Sequence, residues 1–392
     1  MNSYPYLIVG GGMTADAAVR GICELDDTGP IGLISAEPDP PYARPPLSKG
    51  LWKDEPLEGI WRGTGQAGAL LHLGRRVTAI DLAARTVLDD HGHRYGFEKL
   101  LLATGGRPRR LPFGGDDVLY FRNLEDYRRL RSLADRGARF AVLGGGFIGS
   151  EIAAALASQN RSVTMYFPEA GIGSRVFPAD LARFLAGYFE EKGVEVLAGR
   201  KVTNLVAKGL DYEVHAEGEP PREVDAVVAG LGIVPETELA AAAGLEVDDG
   251  IVVDERLRTS HPRVYAAGDV ARFPAPALGG RIRVEHEDNA VSMGRAAGRA
   301  MAGEDSPYLH LPFFYSDLFD LGYEAVGELD PRGEIVADWK VPLREGVVYY
   351  LKAGRVRGVL LWNTWGQVDA ARALIAEPGP VRAGDLVGRL PA

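Results

Sequence analysis

The stretch Tyr6-Leu7-Ile8-Val9-Gly10-Gly11-Gly12-Met13-Thr14-Ala15-Asp16-Ala17-Ala18-Val19-Arg20 decides the fold. Leu7-Ile8-Val9 suits a buried parallel strand and breaks into three glycines. Small and apolar residues then recur at helical spacing, at Ala15, Ala17, Ala18, Ile22 and Leu25. The spacing is G-x-G-x-x-A: Gly10 allows a tight turn, Gly12 lets a pyrophosphate approach the backbone, and Ala15 lets the helix pack close to the strand. The helix N-terminus offers N–H groups and partial positive charge to the phosphates. A second strand, Ile31-Gly32-Leu33-Ile34-Ser35, leads to Glu37, whose carboxylate can accept hydrogen bonds from a ribose diol. The stretch therefore predicts a βαβ unit that binds a dinucleotide.

Composition sets the frame. A chain of 392 residues has room for two or three domains, and 46% hydrophobic with 25% charged residues fits a soluble globular protein. The formal net charge of -10 argues against wholesale nucleic-acid binding. Cys23 is the only cysteine, which excludes an intramolecular disulfide, a Cys-x-x-Cys redox pair and a cysteine-held cluster. The first strand starts close to Met1, leaving no room for a signal peptide, and no apolar run approaches the roughly 20 residues that span a bilayer. The expected setting is cytoplasmic, away from membranes. No metal site is expected, because His91 and His93 fall in a polar turn.

After Glu37 comes Pro38-Asp39-Pro40-Pro41-Tyr42-Ala43-Arg44-Pro45-Pro46-Leu47-Ser48-Lys49. Its prolines predict an extended, stiff track that carries Arg44 and Lys49 beside the dinucleotide. Residues 77–90 read as a strand pair turning near Asp89-Asp90-His91-Gly92. Leu100 to Ala103 reads as a buried strand ending in the small residues Thr104 and Gly105. A second fingerprint follows: strand Phe140–Leu143, a full G-x-G-x-x-G at Gly144, Gly146 and Gly149, a helix, and strand Ser162–Phe167 leading to Glu169. A carboxylate there favours the bare ribose of NADH over the phosphate of NADPH, and nearby Arg175 moderates that preference. Further on, Val264-Tyr265-Ala266-Ala267-Gly268-Asp269 is a strand whose end can aim one carboxylate at a sugar-alcohol chain. A small-residue helix runs from about Glu285 and His286 to Ala302, its N-terminus able to stabilise an anion. From Phe313 the chain turns aromatic and reads as short strands with one terminal helix.

Together these motifs resemble the two-dinucleotide flavoproteins of the pyridine-nucleotide oxidoreductase superfamily, without the redox disulfide. The track Pro41 to Lys49 is similar to one shared by ferredoxin reductases of oxygenase systems and by apoptosis-inducing factor with its bacterial relatives. Phe167-Pro168-Glu169, Arg283-Val284-Glu285-His286, Phe314-Tyr315-Ser316-Asp317-Leu318 and Leu361-Trp362-Asn363 look closer to the second group. The resemblance implies an α/β fold with two Rossmann-like domains and a small α+β C-terminal domain. The FAD-binding domain would comprise 1–112 and 233–312, interrupted by an NAD(H)-binding domain at 113–232, with the C-terminal domain at 313–392.

The resemblance also implies roles. Gly10, Gly12, Ala15 and Glu37 would hold the ADP half of FAD, with Arg44, Lys49, Thr104 and Gly105 towards its pyrophosphate and ring. Gly268 and Asp269 would meet the ribityl chain; Gly144, Gly146, Gly149 and Glu169 would bind NADH. Glu151, placed in the first turn of the second fingerprint helix, would approach the nicotinamide and pair with Lys49. Glu285 and His286 would lie at the flavin ring, as would Tyr315, which stands where apoptosis-inducing factor carries a tryptophan. Lys49, Glu151 and His286 are the implied catalytic residues. The implied reaction moves hydride from NADH to FAD, with NADPH open as a donor. With no cysteine pair, electrons would pass directly to a ferredoxin, a quinone or other small acceptor, or dioxygen. Arginines at 107, 109 and 110, or at 128, 129 and 131, would supply a basic docking patch for a ferredoxin. A rival reading is a redox sensor, slowly reduced by NADH, acting through a charge-transfer complex and homodimerisation or partner binding.

Overall fold

A computed structural model describes residues 2–115, 118–209 and 211–391. The chain divides into two compact units, the first comprising Met1–Arg44, Pro56–Arg107 and Val234–Pro312, the second Pro45–Glu55, Pro108–Ile233 and Phe313–Ala392.

The first unit is built on the opening βαβ. Strand β1 (Asn2–Val9) pairs in parallel with β2 (Ile31–Ile34), and β2 with β3 (Ala69–His72). On its other side β1 pairs in parallel with β6 (Arg94–Leu102), which takes Val264–Ala266 as a further parallel partner. The antiparallel strands β4 (Val77–Asp81) and β5 (Thr86–Asp89) extend the sheet, whose order is β3-β2-β1-β6-β5-β4. Helix α1 (Met13–Cys23) and helix Glu287–Met301 pack on each other through small residues. A Cβ at Gly298 would stand 2.1 Å from the Ala18 carbonyl oxygen, so only glycine admits that approach.

The second unit repeats the plan. Its parallel sheet runs in the order Glu195–Ala198, Val163–Phe167, Phe140–Leu143, Ala226–Ala229, Leu119–Tyr120. Helices α2 (Leu124–Asp135), α3 (Phe147–Ser158) and α4 (Ala179–Glu191) accompany it. A five-stranded antiparallel sheet follows, in the order Phe313–Leu318, Leu321–Gly327, Arg355–Trp362, Glu345–Lys352, Glu334–Val341, with helix Val368–Ala376 against its central strands. Among its buried side chains Tyr323 and Trp362 stack at 5.7 Å, and Phe177 meets both edge-on.

Three local expectations are corrected. The track is extended only as far as Ala43, where Tyr42 bridges Trp61; Pro45–Leu47 and Gly50–Lys53 then curl into 3-10 turns. Proline fixes φ near a value that both conformations share, so prolines alone do not hold a segment extended. The β4–β5 turn lies at residues 82–85, where Arg85 takes φ 53°, and the turn beginning at Asp89 instead joins β5 to β6. Glu151 opens the second turn of α3 rather than sitting in its first.

Asp16 carries the one carboxylate buried on α1, with no side-chain exposure. It accepts from Arg20 Nε at 3.1 Å, Arg62 Nε at 2.7 Å and Thr64 Oγ1 at 2.7 Å, tying residues 62–64 to α1. Burial works to raise its pKa, but the arginine and threonine donors outweigh it and lower the value. Its stabilising contribution is therefore present above the ordinary aspartate pKa and lost as pH falls through the lowered one. Replacing Asp16 by Ala leaves buried donors uncompensated and is expected to cost about 3 kcal/mol in urea unfolding at pH 7. An unchanged unfolding midpoint would contradict that network.

Candidate functional site

Each unit places its own set of the expected residues. In the first, Gly10 has φ +129°, and a Cβ there would fall 2.1 Å from the Ala103 carbonyl oxygen. Gly12 is the N-cap of α1, no side chain caps it, and nothing lies within 4 Å of where its Cβ would be. The turn therefore leaves open backbone at a positive helix end, the geometry a pyrophosphate needs. Ala15 is fully buried on α1. Gly268, φ +78°, would drive a Cβ to 2.3 Å from Thr14 Oγ1, so the turn carrying half-buried Asp269 sits tight against the start of α1.

Glu37 is already engaged: it accepts from Tyr42 Oη at 2.5 Å and from Arg44 Nη2 at 2.5 Å. Burial opposes the charge of Arg44, but Glu37 and Tyr42 outweigh it and raise its pKa. Arg44 is thus turned to Glu37, a partner the sequence did not suggest. Thr104 Oγ1 donates to the Glu236 carbonyl at 2.9 Å, and the Gly105 carbonyl accepts from Glu236 N–H at 3.0 Å. Glu285 accepts from Arg283 Nη1 at 2.9 Å, and the same nitrogen donates to the Asp269 carbonyl at 3.2 Å. His286 is the N-cap of helix Glu287–Met301. Burial pushes its imidazole down to about 4, against the opposing pull of Asp269 and Asp288.

The second unit holds a buried polar cluster around Glu151. Glu151 is 5% exposed. Its Oε1 accepts from Lys49 Nζ at 2.6 Å and from Ser316 Oγ at 2.6 Å, and its Oε2 accepts from Ser48 Oγ at 2.6 Å. The Lys49 ammonium also lies 5.4 Å from the centre of the Tyr315 ring. The expected Lys49–Glu151 pair is thus formed. Ser48 and Ser316 escaped the sequence reading, although a buried carboxylate needs donors for both oxygens and each serine adjoins a residue already singled out. The second glycine turn repeats the first: Gly144 has φ +113°, Gly146 caps α3 without a side chain or any atom within 4 Å of its Cβ position, and a Cβ at Gly149 would lie 2.0 Å from the Gly144 carbonyl oxygen. Glu169 accepts from Arg175 Nε at 3.0 Å and Nη2 at 2.9 Å.

The arginine runs are not bare positive patches. Arg107 pairs with Glu236 at 3.2 Å and Glu238 at 2.6 Å; Arg128 meets Glu125, and Arg131 meets Asp54 and Asp135. Arg110 lies over the Tyr120 ring. Cys23 ends α1 half-buried, its thiol donating to the Ala67 carbonyl at 3.3 Å. Among the described residues no helix is long and apolar enough to cross a membrane, and no group of three or more His, Cys, Asp or Glu side chains is placed to hold a metal ion.

Comparison with known proteins agrees with this geometry. The family profile described as pyridine nucleotide-disulphide oxidoreductase matches residues 4–294. The chain belongs to that family. It is 36% identical to monodehydroascorbate reductase 3 of Arabidopsis thaliana, covering 96% of this chain and 93% of that protein. It is 34% identical to the mitochondrial apoptosis-inducing factor 1 of Dictyostelium discoideum, covering 96% and 79%. Among solved structures, the reductase in the covalent putidaredoxin reductase–putidaredoxin complex superposes with a TM-score of 0.89 at 30% identity, covering 98% of this chain and 95% of that one. The protein is an FAD-dependent NADH oxidoreductase with Rossmann-like units and a C-terminal sheet, and its cofactors are FAD and NAD(P)H. The residues fit those groups: each glycine turn is a cradle that a Cβ would close, opening on an uncapped helix N-terminus.

The lowered pKa of His286 is directly measurable. Histidine side-chain NMR is expected to show a ring that titrates with a midpoint of about 4 and is neutral at pH 7. Because the folded pKa lies below the unfolded one, the group contributes stability above about 6.5, lost as pH falls from there towards 4. A midpoint near 6.5 would contradict the burial argument.

Proposed function

We propose that this protein passes electrons from NADH to a small iron–sulfur ferredoxin. The observation that carries the direct route is the cysteine count. The single thiol, Cys23, is bonded to a backbone carbonyl and has no cysteine to form a disulfide with, so no dithiol relay is available within the chain. The ferredoxin assignment is supported by the whole-length likeness to a reductase captured with its protein redox partner.

In this reading residues 1–112 and 233–312 hold FAD and residues 113–232 hold NADH. Bound FAD supplies the chemistry, accepting hydride from NADH and releasing electrons onward. The chain's own residues bind and tune. The open turn at Gly10 and Gly12 with the start of α1 takes the FAD pyrophosphate, Glu37 takes the adenosine ribose, and Asp269 takes the ribityl hydroxyls. The turn at Gly144 and Gly146 with α3 takes the NADH pyrophosphate. Glu169 takes the adenosine ribose of NADH. Lys49, fixed by Glu151, places a positive charge to stabilise the reduced ring, and the helix headed by neutral His286 adds its dipole.

Two measurements test this. In steady state the holoenzyme is given NADH with a [2Fe–2S] ferredoxin, monodehydroascorbate, a quinone or dioxygen in separate assays. The ferredoxin rate is expected to exceed each of the others by about tenfold or more, a barrier difference of about 1.4 kcal/mol. A ferredoxin rate no higher than the dioxygen background would overturn the assignment, and NADH-driven dimerisation without turnover would favour the sensor reading in its place. Separately, Glu169→Ala is expected to weaken NADH binding by about tenfold, the loss of a charge-assisted hydrogen bond. Unchanged NADH affinity would remove Glu169 from the site.

A further inference from the structure

Residues Pro45–Glu55 are flanked in sequence by parts of the first unit but pack within the second. Beside the bonds of Ser48 and Lys49 to Glu151, Trp52, 3% exposed, holds them there. Its indole Nε1 donates to the Leu47 carbonyl at 2.8 Å, bracing the segment across its own turn. The ring meets Tyr127 of α2 edge-on, with centroids 5.8 Å apart, and the Arg131 guanidinium of the same helix lies 5.6 Å from its centre. At the C-terminal cap of α3, Gln159 Nε2 donates to the Trp52 carbonyl at 2.8 Å. The neighbouring Leu51 carbonyl accepts from Tyr127 Oη at 3.3 Å and Arg131 Nη1 at 3.4 Å.

Lys49 stands three residues before this anchor, and the Trp52 N–H donates to the Lys49 carbonyl at 3.0 Å. The lysine backbone is thus closed into the turn that Trp52 pins. Its ammonium reaches Glu151, which is carried on α3, the helix whose far end grips Trp52 through Gln159. One helix therefore supplies both the charge partner and an anchor of the segment bearing Lys49. A flexible lysine stem has many rotamers, and only a fixed backbone makes a single short ion pair of it.

We propose that Trp52 is a positioning residue for Lys49: through α2 and α3 it fixes the 45–55 segment so that the ammonium is held on Glu151, and its loss frees Lys49 without removing any group that contacts a cofactor. The functional consequence, slower flavin reduction, rests on the role given to Lys49 above; the positional claim does not.

The test is acylation of lysines in the FAD-loaded protein by a water-soluble N-hydroxysuccinimide ester, read site by site by mass spectrometry, with exposed Lys201, outside the segment, as the internal reference. In Trp52→Leu, Lys49 labelling is expected to rise about tenfold relative to Lys201, approaching that of Glu151→Gln, and NADH should reduce the flavin about tenfold more slowly with FAD content unchanged, as a misplaced group would give. Trp52→Phe, which keeps an aromatic ring against Tyr127, should restore most of both. Should Trp52→Leu fail to fold, Trp52→Phe combined with Gln159→Leu weakens the same anchor and should raise Lys49 labelling severalfold. Unchanged Lys49 labelling in a folded variant overturns the proposal, even if reduction slows. Raised labelling with unchanged reduction upholds the anchor and refutes the role of Lys49 towards the ring.

Discussion

The second unit is organised around one carboxylate that little water reaches. Glu151, 5% exposed, is satisfied by a lysine and two serine hydroxyls. Taking a carboxylate out of water costs several kcal/mol unless a cation and hydrogen bonds replace the solvent. Two segments distant in sequence from Glu151 meet that demand: Ser48 and Lys49 on the 45–55 segment, and Ser316 on the first strand of the C-terminal sheet. Removing any of them would leave the others with an unpaid desolvation cost. The cluster thus links α3 to the 45–55 segment and to the C-terminal sheet.

The two glycine turns answer a different constraint with the same device. At Gly10 and Gly144 the backbone adopts positive φ and passes within van der Waals contact of a neighbouring strand end, where a side chain has no room. At Gly12 and Gly146 the opposite holds: space is left open in front of an uncapped helix. A close-packed turn beside an open one leaves bare backbone at a helix N-terminus, an arrangement that suits a phosphate. Around the first turn the carboxylates meet arginines, Glu37 with Arg44 and Asp16 with both Arg20 and Arg62.

Much of this was legible in the chain because the constraint mapped onto residue type. Only glycine meets the steric demands at Gly10, Gly144 and Gly149, so two βαβ units and their ligand class follow from spacing. The helix from Glu287 and the aromatic terminal sheet follow from periodicity and composition. What was not legible depends on distance or on degenerate local signals. Ser48 and Ser316 are ordinary serines until the fold brings Glu151 to them. The curl at 45–53 was hidden because proline's φ suits both extended chain and 3-10 turn. The turn before β5 uses Arg85 in the left-handed region, without the glycine that would have announced it. The arginine runs looked like a docking patch, but the carboxylate partners of Arg107, Glu236 and Glu238, lie far off in sequence.

In the proposed reaction Lys49, held by Glu151, tunes a flavin that NADH reduces. Anaerobic rapid mixing of the FAD-loaded protein with NADH, recording the full flavin spectrum, addresses it most directly when wild type is run beside Lys49→Ala. The account predicts millisecond bleaching in the wild type without a persistent long-wavelength band, and in the variant a bleaching slower by about tenfold with FAD still bound. Identical bleaching in the two proteins would contradict the role of the Glu151 cluster. Slow wild-type bleaching that leaves a lasting charge-transfer band would contradict a reductase and point to a sensor.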